Sequence, residues 1–514
     1  MRWRVALIAA MALVATAAGC TAPKARWREA ESAPSGGSGA IAWRDCADDA
    51  RRIASDLGRK VPGGVLFECG KVAVPQDWNT AVDGKAPDGQ NFEIEVMRAR
   101  SDRQGQRIGS LVTNPGGPGA SGFDFTVYLA GQLAPVLQRF DLIGFDPRGV
   151  GRSAPVKCIS DSDMDASFGY EPDPVSDADF QGAVALSRKI ADGCDAKYGE
   201  DLRLFSTEQA ARDIDAIRTA LGDEKLTYLG FSYGTLLGAV YARLFPKGIR
   251  AMVLDGAVDP RQSPVAGSEG QALGFERAFA NFTAWCRQNA RACQIGPDAR
   301  AAVLSALDTA RTNPVRGDDG RRATAGWVLY AIVSSLYSEQ AWPFLARGMS
   351  ELRGGDPGLV FLLADSYAER DPNGKYSNLF DANNAVNCAD SAEYPTVATI
   401  RTLQADWRKK YPIFGSLLAL SMLTCAVWPG KPDPYPVGPA TGSPPIVVVG
   451  TKGDPATPYE ATPELAQLLG TGTVVTWEGE GHTAYPSTSC IRNAVDAYLI
   501  DLKVPARNLT CPAR

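Results

Sequence analysis

Thr227-Tyr228-Leu229-Gly230-Phe231-Ser232-Tyr233-Gly234-Thr235 is the stretch that decides the fold. Its first three residues form a short β-rich run, and a helical stretch opens at Thr235. Between them lies a GxSxG sequence centred on Ser232. The pattern is weak by itself in a chain with 52 glycines. Its context adds the weight: a serine on a sharp strand-to-helix turn is held up and exposed as a nucleophile. Glycine at both ends lets strand and helix approach closely around a strained residue. A plain Gly/Ser turn is the competing reading, and the two part on whether an acid and a base follow at the right strand ends.

Working outward, β-rich runs with turn signals at their ends fall at residues 71–74, 92–98, 110–113, 142–145, 227–229, 251–254, 446–449 and 473–477. Several are continuously apolar, such as Ile446-Val447-Val448-Val449, as strands buried on both faces of a parallel sheet should be. Between Asp141 and Asp255 they alternate with helical stretches at 208–221 and 235–245. That alternation predicts an α/β fold with a mostly parallel sheet of about eight strands. From about Gly274 to Val427 the periodicity turns helical, at 276–287, 301–311, 327–337, 359–367 and 397–409. A helical cap inserted between the sixth and seventh predicted strands accounts for this. A tandem helical domain would leave the last two strands too short to fold alone. The resulting division is residues 46–270 for the first part of the core, 271–430 for the cap, and 431–514 for the rest of the core.

The serine hydroxyl needs a base, and His482 is the one histidine in 514 residues. It sits in Glu480-Gly481-His482-Thr483, just after the last predicted strand. The acid that orients it should follow the preceding strand, where Gly453-Asp454-Pro455 stands. Asp255, after the sixth predicted strand, is the second choice, with a turn cap as its other role. The chain order Ser232, Asp454, His482 is that of α/β-hydrolases, unlike chymotrypsin or subtilisin. An oxyanion hole needs two N–H donors. Either Gly116 or Gly117 in Asn114-Pro115-Gly116-Gly117-Pro118-Gly119 can supply one, and Tyr233 the other. The same glycine-rich turn could suggest phosphate binding, but no GK[ST] follows it and no GxGxxG is present, so a nucleotide is excluded. A net charge of −5 and a pI near 5.3 argue against nucleic acid as a partner. One histidine and no CxxC pair argue against a protein-built metal centre, and no cofactor is expected.

Four segments taken in order carry a resemblance: Asn114–Gly119, Phe145-Asp146-Pro147-Arg148-Gly149-Val150-Gly151-Arg152-Ser153, the GFSYG turn, and Gly450–Glu460 with Glu478–Thr483. Together they resemble secreted bacterial tripeptidyl aminopeptidases and the mycobacterial exported or lipid-anchored carboxylesterase A-like serine peptidases. More distantly they are similar to proline iminopeptidases, which have HGGPG where this chain has PGGPG. The resemblance implies covalent catalysis, with attack by Ser232, proton transfer by His482, orientation by Asp454, and water resolving the acyl-enzyme. It also implies cap acids that hold the free α-amine of a peptide, for which Asp390 and Glu276 are the candidates, each with a solvated surface role as its alternative. A carboxylesterase or lipase-like enzyme would use the same triad on acyl esters. Cap aromatics such as Trp327, Tyr330, Tyr337 and Trp342 would then bind acyl chains, or else pack as core. A catalytically silent envelope protein is the third reading, and an intact serine, acid and base argue against it.

At the other end of the chain, Arg2 and Arg4 precede an apolar run from residue 5 to 18 that closes at Ala17-Ala18-Gly19-Cys20. This reads as an export signal over residues 1–20 followed by a linker over 21–45. Cys20 after Gly19 resembles the lipobox of bacterial lipoproteins, which predicts a lipid anchor at the outer face of the membrane. Plain cleavage near Ala18 and secretion is the alternative. Eleven cysteines less Cys20 leave ten, enough for five disulfides in an oxidising compartment. Cys46/Cys69, Cys158/Cys194, Cys286/Cys293 and Cys490/Cys511 are near neighbours in the chain, with Cys388/Cys425 as the remainder.

Overall fold

In the computed structural model, which describes residues 41–514, ten strands form one sheet. The export signal, Cys20 and most of the linker lie outside the described residues. In chain order the strands are β1 (Arg44–Asp45), β2 (Val65–Pro75), β3 (Asn91–Ser101), β4 (Gly109–Asn114), β5 (Phe140–Phe145), β6 (Leu226–Phe231), β7 (Ile249–Asp255), β8 (Val315–Arg316), β9 (Arg322–Ala323), β10 (Ile446–Gly453), β11 (Gly472–Glu480) and β12 (Leu509–Cys511). The sheet order is β1-β2-β3-β5-β4-β6-β7-β10-β11-β12, and β8 and β9 form a separate hairpin. Pairing is antiparallel from β1 to β3 and between β3 and β5, then parallel from β5 to β12. All eight strands expected from the sequence are present. The additional β1, β8, β9 and β12 span only two or three residues, too short to show an alternation.

Strand β10 shows why the central runs are continuously apolar. Ile446 and Val448 face one apolar layer, Val447 and Val449 the other, and all four are fully buried. Helices cover both faces, so residues 446–451 of the strand are shielded from water, and only its end at Lys452 and Gly453 emerges.

The helical insertion lies between β7 and β10, two strands that pair directly, Met252 opposite Ile446. It includes the helices Pro264–Gln288, Ala299–Thr312, Ala325–Leu336, Trp342–Arg353, Gly358–Ala368, Leu379–Asp390 and Val397–Lys410. A second excursion, between β5 and β6, adds the helices Asp161–Phe168 and Asp177–Tyr198 and packs against the first. Phe168 stacks on Trp327 at 5.8 Å between ring centroids.

Five disulfides join Cys46–Cys69, Cys158–Cys194, Cys286–Cys293, Cys388–Cys425 and Cys490–Cys511. They are the pairs of chain neighbours noted above. Among the described residues no helix is long and apolar enough to cross a membrane.

Candidate active site

Strand β6 ends at Phe231 and the helix Tyr233–Leu244 begins at Tyr233, so Ser232 alone makes the turn. Its φ of 56° and ψ of −126° are sparsely populated for a residue with a side chain, a strain of about 1–3 kcal/mol that the surroundings must hold. They do so at two bonds: Ser232 N donates to Asp255 O at 2.9 Å, and Thr235 N donates to Ser232 O at 2.8 Å. Gly230 is required by close approach, since a Cβ there would lie 2.3 Å from Gly234 O.

Asp454 follows β10 and His482 follows β11. The His482 Nδ1 lies 2.9 and 3.0 Å from the two Asp454 carboxylate oxygens. The carboxylate is buried and also accepts from Ala456 N at 2.9 Å, Thr457 N at 2.8 Å, Thr457 Oγ1 at 3.0 Å and Thr483 N at 3.1 Å. From the other side, His482 N donates to Tyr337 O at 2.9 Å, and the Tyr337 ring packs edge-on against the imidazole at 5.1 Å. Burial alone would pull the imidazole pKa down. The charge and hydrogen bond of Asp454, with Asp255 behind it, outweigh burial and raise it above the ordinary histidine value. Gly256 connects the two halves. It follows Asp255, whose carbonyl holds Ser232, and a Cβ on it would lie 3.4 Å from His482 Cε1.

Asp255 is neither the orienting acid nor a simple turn cap. Its carboxylate accepts from Ala484 N at 3.0 Å and Tyr485 N at 2.7 Å, fixing the chain just beyond His482. Burial pushes its carboxyl up to about 7. One residue therefore ties the serine turn, through its carbonyl, to the histidine loop, through its side chain.

Of the two glycines offered for the oxyanion hole, Gly116 already donates its N–H to Asn114 Oδ1 at 2.9 Å. Its φ of 100° and its contact with the turn, where a Cβ would lie 2.6 Å from Phe231 O, give it a packing role. Gly117, with a φ of 107°, lines the cavity together with Ser232 and Tyr233.

That cavity measures about 830 Å³ and lies between the sheet and the inserted helices. Asp390 lines it; Glu276 does not. The Glu276 carboxylate instead accepts from Ile413 N at 2.6 Å and Phe414 N at 3.3 Å, which fits it to holding two inserted segments together. Asp390 accepts from Thr207 N at 2.7 Å and Thr207 Oγ1 at 2.6 Å, and Thr207 Oγ1 lies 2.6 Å from the hydroxyl of Tyr233. Burial, with Asp433 nearby, pushes the Asp390 carboxyl up to about 7. The four aromatics named from the sequence divide: Trp327 and Trp342 are buried in the core, while Tyr330 and Tyr337 line the cavity.

Residues 411–511 match the family model described as "TAP-like protein". The chain is 38% identical over 495 residues to the serine protease Hip1 of Mycobacterium tuberculosis, covering 92% of this chain and 91% of that protein. It is 33% identical over 484 residues to the tripeptidyl aminopeptidase of Streptomyces lividans, covering 92% and 86%. The chain belongs to the tripeptidyl-aminopeptidase-like family of α/β-hydrolases. The carboxylesterase B of Mycobacterium tuberculosis is similar to the same degree, 38% over 465 residues, covering 86% of both chains. As a member of this family the protein is a serine hydrolase.

Sequence reasoning missed Thr457 in this tripeptidyl-aminopeptidase-like hydrolase. Its hydroxyl donates to Asp454 and lies 3.3 Å from His482 Nδ1, so it braces the acid and base together. A signal was available in Asp454-Pro455-Ala456-Thr457: an Asp before Pro starts a turn in which the carboxylate accepts from the next residues' N–H groups. The anchoring of the histidine loop by Asp255 left no local signal, since the two segments are 229 residues apart.

Proposed function

We propose that this hydrolase is an exopeptidase that releases short peptides, about three residues long, from free N-termini. Ser232 Oγ attacks the scissile carbonyl while His482 takes its proton, and Asp454 holds the imidazole in the required tautomer. The N–H groups of Gly117 and Tyr233 receive the oxyanion. His482 then returns the proton to the leaving amine, and water hydrolyses the acyl-enzyme.

The observation that carries the peptide assignment is Asp390. Three other carboxylates line the cavity, but Asp259 is ion-paired with Arg261 at 2.9 Å, Glu460 is ion-paired with Arg277 at 2.6 Å, and Glu393 is exposed. Asp390 has the neutral donors of Thr207 and sits beside the N-terminus of the helix Thr207–Ala220, where a negative charge is favoured. An arriving ammonium would keep it ionised despite its burial. Along the helix Leu379–Asp390 it lies seven residues beyond Asn383, whose Nδ2 donates to Pro118 O. Seven residues of helix are about 10 Å, the span of about three extended residues at ~3.4 Å each.

The test compares kcat/KM for a tripeptidyl anilide, its N-acetylated form and a short-chain p-nitrophenyl ester. Acetylation removes the charge that meets Asp390, and a lost charged hydrogen bond of about 1.5–3 kcal/mol lowers the rate about ten- to a hundredfold. The esterase reading is favoured by the 38% identity to carboxylesterase B. It predicts equal rates on the two anilides with the ester far ahead of both, and that result overturns the peptidase.

The pH dependence follows from the raised imidazole. A general base must be neutral to act, so kcat/KM should rise with pH and reach half its plateau above about 6.5. Asp454→Asn removes the charge chiefly responsible and should move that midpoint down, besides slowing the reaction. A midpoint unmoved by the substitution would exclude His482 as the group that titrates.

The mature protein is exported and anchored through Cys20, on the export signal and the Gly19-Cys20 junction. Cys20→Ala should shift it from the membrane fraction to a soluble or unprocessed form. An unchanged distribution on fractionation, with a mature N-terminus other than residue 20, would defeat the anchor.

A further inference from the structure

The helix Leu379–Asp390 lines the cavity with an aromatic residue near one end and a carboxylate at the other. Phe380, Asn383, Asn384, Asn387 and Asp390 recur at the spacing of one helix face, and all five line the cavity. Asn383 marks the middle, because its side chain donates to Pro118 O at 3.0 Å in the loop that carries Gly117. From that point Asp390 lies about 10 Å toward the helix C-terminus and Phe380 about 4.5 Å toward its N-terminus. The two residues therefore lie on opposite sides of Asn383 along the helix.

Phe380 belongs to a continuous aromatic wall. Its ring contacts Phe168 at 4.8 Å and Tyr367 at 5.7 Å. Tyr330 contacts Phe168 at 4.7 Å and Tyr367 at 5.6 Å, and Tyr337 contacts Tyr367 at 6.0 Å. At the near end Tyr337 stands 5.1 Å from the ring of His482. All five aromatics line the cavity, and all but Phe168 are only half-buried.

We propose that this wall is the leaving-group subsite, receiving the side chain immediately C-terminal to the cleaved bond and selecting a large apolar or aromatic one. The subsite rests in part on the amine assignment at Asp390: if the substrate's N-terminus lies there, the opposite end of the helix faces the departing chain. The position of His482 supports the subsite independently. A histidine that serves a nucleophilic serine passes its proton to the leaving group, so the space against the imidazole is where that group departs. The wall begins there. Edge-on and offset ring contacts are the geometry in which a further aromatic side chain packs favourably.

The experiment uses the whole protein and free-amine peptides Ala-Ala-Ala-X-Ala-Ala with X as Gly, Leu or Phe, the cut bond being located by mass spectrometry and X moved to follow it. Burial of the phenyl group should raise kcat/KM for Phe over Gly by about tenfold or more. Phe380→Ala and Tyr367→Leu should each bring that ratio toward one while leaving the ratio of free to N-acetylated substrate in place. A flat or inverted series in the wild-type protein overturns the subsite, whether or not the variants fold. Acetyl esters of 2-phenylethanol and ethanol carry the same comparison without an amine. If peptides resist cleavage and the phenylethyl ester is preferred, the peptidase assignment falls and the subsite stands. Equal rates on the two esters, with peptides uncut, would sink both.

Discussion

Substituting alanine for His482 is expected to remove essentially all hydrolysis while leaving the protein folded. No other imidazole exists in the chain to take the proton. Loss of a member of a serine–histidine–acid set leaves only residual catalysis, a cost of about 10⁴ or more in kcat. The fold should survive because the partner left behind is not orphaned. Asp454 keeps four other donors, from Ala456, from the N–H and hydroxyl of Thr457, and from Thr483. Ser232→Ala should cost about as much, and the double substitution little more than either alone, since the residues act as a unit. The check is kcat/KM together with circular dichroism on each variant. Near wild-type turnover by the His482 variant would refute the assignment.

The second large effect is on stability. Arg148 and Asp213 are fully buried and paired at two points, 2.8 Å from Nε and 2.6 Å from Nη2. The remaining guanidinium hydrogens reach the carbonyls of Gln76 at 2.7 Å, Leu204 at 3.0 Å and Pro75 at 3.1 Å, while Trp78 Nε1 donates to Asp213 at 2.7 Å. Asp213→Ala leaves a buried positive charge without its counterion and should destabilise by about 3–5 kcal/mol. Denaturant unfolding of the two proteins measures it, and a loss under about 1 kcal/mol would mean that water reaches the guanidinium. The effect should extend to the cavity, because Asp213 lies on the helix Thr207–Ala220, whose first residue holds Asp390.

The central strands and the serine turn were legible because their signals are local. Val447 and its neighbours are apolar on both faces, and Ser232 is bracketed by glycines that the turn requires. The chain order of Ser232, Asp454 and His482 needed only strand ends. The helix Leu379–Asp390 went unread for a physical reason. Asn383, Asn384 and Asn387 are weak helix formers, and they stand there because that face lines a polar part of the cavity instead of the core. Glu276, a candidate amine-binding acid with a solvated surface role as its alternative, accepts from Ile413 N and Phe414 N instead, and a carboxylate on a cap helix looks the same in sequence in all three settings.

The two cross-links within the inserted stretch, Cys286–Cys293 and Cys388–Cys425, close on themselves, and Cys46–Cys69, Cys158–Cys194 and Cys490–Cys511 close outside it. Among the described residues no disulfide crosses from one set to the other. The insertion leaves the sheet after β7 and returns at β10, two strands already hydrogen-bonded side by side. The two strands run parallel, so the chain leaves at the Asp255 end of the pair and returns at the Ile446 end, and none of the five disulfides ties the insertion to the sheet. Beyond its two chain junctions the insertion is held to the rest of the protein by noncovalent contacts, among them Tyr337 O with His482 N, so it can shift against the sheet with every disulfide intact.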